Sequence, residues 1–503
     1  MRWLLLSRNW SRLFLPSGET LGVRAVRGGV WIVASQAVAR GILFVRMVVL
    51  AHLVAPDDFG MFGIAMLTLT MTETFSETGF QAALVQKKRD THLYLQTAWT
   101  VQVLRGVFLA AILYIAAPYV ARFFHELEVI SLIRSLSIAM LVRGFTNIGI
   151  IYFQKELEFR RQVVYQLSGT LADVAVAVTA ALLLRNAWAL VYGWLAGSFT
   201  QVAVSYLLHP YRPSFRFDVS KAKELCHFGK WMFSLSVLVF FINQGDDAFL
   251  GKVLGATELG FYQMAFRIGM LPATVFTLAV SQISFPVYAK LQGEQYRLRM
   301  AFCRILEITA LVIFPITTGL IALGDHLTYF FLGAPWLPMA PLLRILALKG
   351  LIWALAGITG GPLYMAIGRP DINLKLNLAQ AAVMSCLIYP FYHFWGAKGI
   401  AATVVIAMAA NYGLNIRYSL KVTGLSASDY FTTFYHPLCG SVLAGVIGVA
   451  VGLIMPVLGL KSLTLPLLSM LSTYIIWLKG AGKLSSLLEL TKMLKGAKII
   501  AED

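Results

Sequence analysis

The sequence is poor in charge and cysteine and contains no motif of a catalytic or metal centre. Only 13% of its 503 residues are charged, about half the fraction in an average soluble domain. A soluble protein of this length needs a charged surface, so a soluble multidomain enzyme, a disordered chain and a fibrous protein are all excluded. The four cysteines stand singly without a CxxC spacing, so neither a disulfide framework nor a zinc site is indicated.

Sites for chemistry are also missing. The eight histidines are never paired at metal-ligand spacing, and no HExxH, Walker-A or GxSxG sequence occurs. The segments between apolar runs are too short for a globular catalytic domain, and the aromatic residues form no base-stacking platform. We therefore expect no enzyme, no metal, no cofactor and no nucleic-acid partner.

Long apolar runs are abundant, because 58% of the residues are hydrophobic. At roughly 20 apolar residues per crossing, the chain predicts an all-α polytopic membrane protein of about fourteen transmembrane helices. We place these near 28–50, 60–85, 93–119, 129–153, 163–184, 187–208, 229–251, 260–289, 299–324, 339–367, 372–394, 398–421, 434–456 and 462–479.

The net charge of +18 is mostly a topology signal. With the N-terminus in the cytoplasm, the inside segments carry 27 lysines and arginines and the outside loops carry 5. Both termini are therefore predicted to be cytoplasmic, in a multi-pass protein. The basic N-terminal segment 1–27 is amphipathic and too interrupted for a signal peptide. A basic cytoplasmic tail, 480–503, ends the chain.

An internal repeat with an offset of 200 residues divides the membrane region. Gly29 and Trp31 recur as Gly229 and Trp231, and 50–60 matches 250–260. Six predicted helices separate the copies, which predicts two lobes related by a pseudo-twofold axis along the membrane normal. The predicted parts are an N-lobe at 28–208, a cytoplasmic linker at 209–228, a C-lobe at 229–421 and two extra helices at 422–479.

Ten cations and six acids fall inside the predicted helices. Each charge facing lipid costs about 2.5–3.5 kcal/mol, so most must face the protein interior or a wet cavity. The excess of cations favours an anionic, phosphate-bearing substrate, since arginine binds phosphate oxygens with two donors. The cationic candidates for the substrate cavity are Arg40, Arg46, Arg105, Arg134, Arg143, Arg267, Arg344 and Lys349.

The acidic candidates serve ion coupling or charge pairing, and the sequence leaves both open. They are Glu73, Glu77, Asp173, Asp246 and Asp247. Glu73 and Glu77 share one face of a helix near the depth of Arg40, so an ion pair with Arg40 is one expectation. Asp246 stands at the repeat position of Arg46, which indicates either a contact between the lobes or two separate local pairs.

The glycines and the proline of 357–362 interrupt a helix, so the freed backbone groups must line a cavity or be covered by neighbouring residues.

The repeat block resembles the polysaccharide-exporter (O-antigen flippase, Wzx-like) family of the multidrug/oligosaccharidyl-lipid/polysaccharide superfamily. The resemblance covers roughly residues 20–425 and rests on six loose motifs in consistent order. They are Gly29-Val-Trp31, 50–60, 79–86, 153–159, Phe285-Pro-Val-Tyr288 and 336–344. The last three look like the colanic-acid exporter branch.

The resemblance implies movement of undecaprenyl-diphosphate-linked oligosaccharide repeat units across the bacterial inner membrane by alternating access. It also implies two six-helix lobes, a cationic cavity and possible coupling to H⁺ or Na⁺. The expected partners are the lipid-linked oligosaccharide, membrane lipid and the polysaccharide polymerase or export machinery, with the chain itself a monomer.

Two other functions stay open. An ion-coupled antiporter of small molecules in the same superfamily would have twelve helices and an acid-dominated cavity. A membrane glycan enzyme would need a large outer loop or a catalytic His/Asp cluster, and the longest predicted outer loop, 324–338, has about 15 residues.

Overall fold

A computed structural model describes residues 21–76, 91–156, 158–454 and 460–484. Throughout these ranges the regular structure is entirely helical, as the composition predicts. The first group of helices comprises α1 (Leu21–Leu53), α2 (Pro56–Phe75), α3 (Thr91–Phe124), α4 (Val129–Gly144), α5 (Ile151–Lys155), α6 (Phe159–Leu184) and α7 (Trp188–Leu208).

A second group follows the linker. It comprises α8 (Val219–Lys290), α9 (Gln295–Ala322), α10 (Gly324–Leu332), α11 (Ala340–Thr359), α12 (Gly361–Ala366), α13 (Asp371–Thr423), α14 (Ala427–Ile454) and α15 (Leu460–Gly480). The last two helices pack against each other, and α14 also packs along α9. The second group is therefore larger than the first by this C-terminal pair.

Two of these helices are too long for a single crossing. α8 and α13 have 72 and 53 residues, whereas one crossing needs roughly 20. Each contains one glycine with a positive φ, Gly255 at 83° and Gly396 at 56°, where the helix is interrupted. Nine helices of the described ranges are long and apolar enough to cross a membrane. The number of crossings, fourteen, stays a prediction.

Three expected elements differ in the structure. The linker expected at 209–228 is helical from Val219, where α8 begins. The helix expected at 129–153 ends at Gly144, and a 3-10 turn at Ile148–Ile150 precedes α5. Asn147 stabilises the break, because its side chain accepts a hydrogen bond from Gly149 N and donates one to Tyr211 O. The segment 324–338, expected as an outer loop, forms α10 and a 3-10 helix at Ala334–Met339.

The largest hydrophobic core joins the two groups. It includes Leu50 and Phe59 from the first group and Leu250, Leu259 and Trp336 from the second. On the outside of the bundle large apolar side chains stay exposed, with Leu207 at 82% and Leu453 at 83%. Such a surface suits lipid and is not found over large areas of soluble monomers.

Candidate functional site

The two groups meet where α2 crosses the second half of α8. A Cβ placed on Gly60 would lie 1.7 Å from the carbonyl oxygen of Ala256. A Cβ placed on Gly260 would lie 2.1 Å from that of Pro56. Only glycine permits this backbone approach, because any larger residue would overlap the opposite chain. We call this crossing, together with the neighbouring Ala51, Glu126 and Trp336, the sealed end.

Further contacts hold the sealed end together. The Trp336 indole donates a hydrogen bond of 2.9 Å to Ala51 O, and its ring packs edge-on against Phe59 at 5.1 Å. The backbone N–H of Ala256 donates to Glu126 Oε1 at 3.3 Å. These contacts join the 3-10 helix at Ala334–Met339 to α1 and α2, and the turn after α3 to α8, so the two groups are joined at this end.

Arg46 of α1 lies in a buried ion pair. Its guanidinium donates a hydrogen bond of 2.9 Å to Asp173 Oδ1 of α6, and each side chain keeps 12% of its surface exposed. The Nε of Arg46 has no hydrogen-bond partner among the described residues. Arg267 of α8 lies within electrostatic range of Arg46, although the two residues belong to different groups of helices. The side chain of Arg267 is exposed.

Arg40 stands one and a half helical turns before Arg46 on α1. Its side chain is half-buried, and Nη1 is buried without a hydrogen-bond partner in the described ranges. The expected ion pair between Arg40 and Glu73 is wrong, because Glu73 Oε1 instead accepts from Arg143 Nη1 at 2.9 Å. Glu77, the other expected partner, lies outside the described residues.

Arg105 and Arg143 both bind the C-terminal end of α2. Arg105 donates to the backbone carbonyl of Glu73 at 2.9 Å and to the Ser76 hydroxyl. Because the last carbonyls of a helix have no partners within the helix, this contact satisfies one of them. Arg143 pairs with the Glu73 carboxylate, with roughly a third of each side chain exposed. The two arginines therefore fix α2 against α3 and α4.

Two acids and a lysine form a polar cluster in the second group. Asp246 Oδ2 accepts a hydrogen bond of 2.6 Å from the Tyr262 hydroxyl, and Asp247 Oδ2 accepts one of 3.1 Å from Gln263. The ammonium of Lys349 lies 4.3 Å from the Phe266 ring centroid and within electrostatic range of both acids. Arg46 and Asp246 each have a local partner, Asp173 for Arg46 and Tyr262 for Asp246. Of the two alternatives that the repeat left open, separate local pairs are therefore the one observed.

The two remaining cationic candidates lie elsewhere. Arg134 is exposed, and its guanidinium carbon lies 4.7 Å from the Tyr114 ring centroid. Arg344 binds Asp325 Oδ2 at 2.5 Å and the carbonyl of Ile321, which ties α11 to α10. These contacts do not join either arginine to Arg46 or Arg267.

The sequence analysis missed an amide-lined cavity in the second group. Its volume is about 270 Å³, and its wall includes Lys349, Trp353 and the interruption at 357–362. Both alternatives expected for this interruption occur, because Gly357, Gly360 and Gly361 line the cavity and the nearby Ala356 carbonyl is covered by Asn415. Tyr262 and Gln263 were also missed, since a single uncharged polar residue in an apolar run gives no charge or spacing signal. Asp325 was missed because 324–338 was expected as an outer loop. Pairs of asparagines four residues apart were the available signal for the cavity.

Known proteins give a consistent comparison. Residues 49–341 match the family model described as polysaccharide biosynthesis protein. The chain is 24% identical to the lipopolysaccharide biosynthesis protein WzxC of Escherichia coli (strain K12), over 87% of this chain and 89% of the relative.

Two solved structures show the fold. The lipid II flippase MurJ in an inward closed conformation superposes with a TM-score of 0.73 and 15% identity, covering 88% of this chain and 97% of its own. An inward-facing multidrug resistance MATE transporter of the MOP superfamily gives a TM-score of 0.53 at 15% identity, covering 82% and 97%. The expected transporter fold is thereby confirmed.

Proposed function

The chain belongs to the polysaccharide biosynthesis family of membrane exporters, and on that basis we propose that it flips undecaprenyl-diphosphate-linked oligosaccharide repeat units across the bacterial inner membrane. The chain would act by alternating access and would carry out no chemical reaction itself. The similarity of the chain to a lipopolysaccharide biosynthesis protein and to a lipid II flippase supports this assignment. The cargo would serve the synthesis of an exopolysaccharide, a capsule or an O-antigen.

One observation carries the proposal. Arg46 and Arg267 lie within electrostatic range of each other across the two groups of helices, and Arg40 precedes Arg46 on the same helix. Two arginines repel each other in a protein interior. Asp173 offsets the charge of Arg46, and a polyanion that also met Arg267 would stabilise the approach of the two groups further. A diphosphate fits, because guanidinium groups bind its oxygens through paired donors.

The contacts at one end indicate how access alternates. In this proposal the cargo cleft lies between the two groups of helices. The distribution of lysine and arginine predicts cytoplasmic termini, which places the sealed end on the periplasmic side, where it closes the cleft. A cargo would then enter from the cytoplasmic leaflet and bind the arginines. Separation of α2 from α8 would release it on the periplasmic side, and binding energy would favour whichever state holds the cargo better.

The acids offer a means of ion coupling. Asp246 and Asp247 lie together with Lys349, so protonation or Na⁺ binding would change the charge of this cluster beside Arg267. Repulsion between neighbouring carboxylates favours binding of a cation, either H⁺ or Na⁺. The ion gradient would then supply free energy for the return of the empty carrier.

The same acids are the observation that favours a second candidate function. An ion-coupled antiporter of small molecules would use buried carboxylates to bind its cargo, and the similarity to a MATE transporter supports that fold. The neighbouring Arg46 and Arg267 disfavour a cationic drug, because they would repel it. Proton-coupled export of a drug by the purified chain would support the antiporter.

Deletion of the gene tests the main proposal. We expect lipid-linked repeat units to accumulate in the cytoplasmic leaflet, where a membrane-impermeant sugar-modifying enzyme added to spheroplasts cannot reach them. Re-expression of the chain should restore the modification. Normal modification in the deletion strain, with no second flippase present, would contradict the proposal.

A further inference from the structure

The amide-lined cavity lies between α8, α11 and α13, beside the acid and lysine cluster. Its volume of about 270 Å³ is near the lower end of ligand pockets, roughly 300–1,000 Å³. Phe266 lines this cavity and is the chain neighbour of Arg267, which we assign to the cargo cleft. The cavity and the proposed diphosphate site therefore involve the same turn of α8.

Six side-chain amides border the cavity, which is a high density for a membrane interior. On α13 they form two sets, one on each side of Gly396, and within each set the spacing of three or four residues puts the amides on one helix face. The six residues are Asn243, Asn373, Asn377, Gln380, Asn411 and Asn415.

Some of these amides are held in place by the protein. Asn411 Nδ2 donates to Gln380 Oε1 at 3.0 Å, and both side chains are buried. Asn415 accepts from the Tyr364 hydroxyl at 2.8 Å and donates to Ala356 O at 3.3 Å. Asn415 Oδ1 also accepts from the Ser419 hydroxyl at 3.0 Å, so Asn415 has one N–H left for a ligand. Asn411 and Gln380 keep both donor and acceptor capacity, because a primary amide has two donors and two lone pairs. The remaining groups have fixed positions along the wall.

The chemistry of the wall selects a class of ligand. A phosphate offers only acceptors and would leave the amide oxygens unpaired, and a metal ion needs only acceptors, so the amide N–H groups would be unused. A sugar hydroxyl both donates and accepts, as an amide does. Trp353 adds an aromatic ring to the same wall, and its indole N–H is a further donor.

A buried cation lies in the same wall. Lys349 has only 4% of its surface exposed, and its ammonium has no hydrogen-bond partner among the described residues. An ammonium can donate three hydrogen bonds, so this group favours a ligand that supplies oxygen acceptors. Sugar hydroxyl, carboxylate and phosphate oxygens all meet that requirement, and of the three only the hydroxyl also donates to the amide oxygens of the wall.

We propose that this cavity binds the sugar part of the lipid-linked cargo while the arginines of the cleft bind its diphosphate. The assignment rests on the proposed flippase function and adds a second, carbohydrate-specific subsite to it. Through this subsite the carrier distinguishes a lipid that bears a sugar from the bare lipid diphosphate.

Gly361, the first residue of α12, allows a specific test. A Cβ on Gly361 would meet no atom within 4 Å, although this residue lines the cavity. Gly361→Leu should therefore fill the cavity without displacing the backbone. Gly413 of α13 also has no atom within 4 Å of its Cβ position and lies outside the cavity wall, so Gly413→Leu is the matched control.

The experiment measures lipid binding to the full chain in nanodiscs. One probe is the lipid-linked oligosaccharide extracted from cells that lack the gene, and the other is synthetic undecaprenyl diphosphate without sugar. The wild type and Gly413→Leu should bind the sugar-bearing lipid about tenfold more tightly, the scale of two neutral hydrogen bonds. Gly361→Leu and the double variant Asn373→Ala/Asn377→Ala should lose this preference and keep their affinity for the bare lipid.

The outcomes separate the subsite from the flippase itself. Equal affinity of the wild type for both lipids, or a preference that survives in both cavity variants, overturns the subsite alone. A wild type that binds neither lipid contradicts the flippase function, and the subsite with it. Cavity variants that change only the Na⁺ dependence of binding would assign the cavity to an ion and overturn the sugar assignment.

Discussion

The Thr257 hydroxyl donates a hydrogen bond of 2.8 Å to Asp57 Oδ1, and the two residues are 200 positions apart in the chain. They hold equivalent positions in the two copies of the repeat. A residue contacts its own counterpart only near the axis that relates the two copies, as at the interface of a symmetric dimer. The glycines of the same crossing obey the same offset, so the sealed end lies on the pseudo-twofold axis and a change there acts on both groups.

The first prediction concerns closure of the sealed end. Gly60→Leu should prevent the approach of α2 to Ala256 O, which a Cβ would meet at 1.7 Å. Export should fall to background, because the state closed at this end is no longer reached. In a variant without native cysteines, Leu259→Cys should become reactive to a membrane-impermeant thiol reagent, since Leu259 is fully buried in the closed state.

Gly413→Leu is the control, as its Cβ position is open. Both proteins must reach the membrane in equal amounts. A Gly60→Leu protein that exports normally would show that the crossing does not gate transport.

The second prediction separates two roles of Arg46. Asp173→Asn should lower the free energy of unfolding by about 3–5 kcal/mol, because a buried cation then lacks its partner. The double variant Arg46→Met/Asp173→Leu should recover most of that loss, since both charges are removed. If Arg46 also binds the diphosphate, the double variant should be stable and still export poorly.

Denaturation of the purified variants in detergent and export in cells are the two measurements. Full export by a stable double variant would restrict Arg46 to a structural role.

The third prediction concerns Arg40, whose buried Nη1 has no partner in the described ranges. Arg40→Ala leaves no acidic side chain without a partner, so the free energy of unfolding should hardly change. Export should fall roughly tenfold or more, because a hydrogen bond to a charged group contributes about 1.5–3 kcal/mol. Arg40→Lys should recover part of the activity.

Arg134→Ala is the matched control, as Arg134 is exposed and lies over Tyr114. Its export should stay within about twofold of the wild type. Equal losses in both variants would show that export depends on total charge and not on a cation in the cleft.

The fourth prediction concerns ion coupling. Asp247→Asn should keep the hydrogen bond with Gln263 and remove the charge. Export should become slow and insensitive to proton and sodium gradients, as measured with ionophores that collapse each gradient. Glu307→Gln is a control, because Glu307 pairs with Arg304 and Lys483 and has no contact with the cluster. A variant that stays gradient-dependent would place the coupling ion elsewhere.

The fold class followed from residue types and their spacing. Apolar runs of spanning length and scarce charge exclude a soluble protein, and the repeat at 50–60 and 250–260 predicted equivalent elements in both halves. The interruption at 357–362 was also visible, since glycine and proline break helices irrespective of their surroundings. The helical structure of 324–338 could not be predicted from the sequence, because α10 depends on packing and on the ion pair between Asp325 and Arg344.

The candidate site followed only in part. Depth in the membrane selected charges that must be buried or wet, and this property belongs to the residue and its position along a helix. The partner of each charge cannot be inferred from its own position, because Arg46 contacts Asp173 and Arg143 contacts Glu73 across different helix pairs. Asparagines carry no charge, so their gathering in one cavity left little trace in the sequence.

The sequence by itself determined that the chain is a duplicated, helical membrane protein with excess cations inside the membrane. Hydrophobicity and the cost of buried charge act residue by residue, so they can be read along the chain. Only the tertiary structure decided that Arg267 approaches Arg46, that Thr257 meets Asp57 and that six amides surround one cavity. Those relationships depend on how helices cross, and the crossings are set by packing between residues that lie hundreds of positions apart.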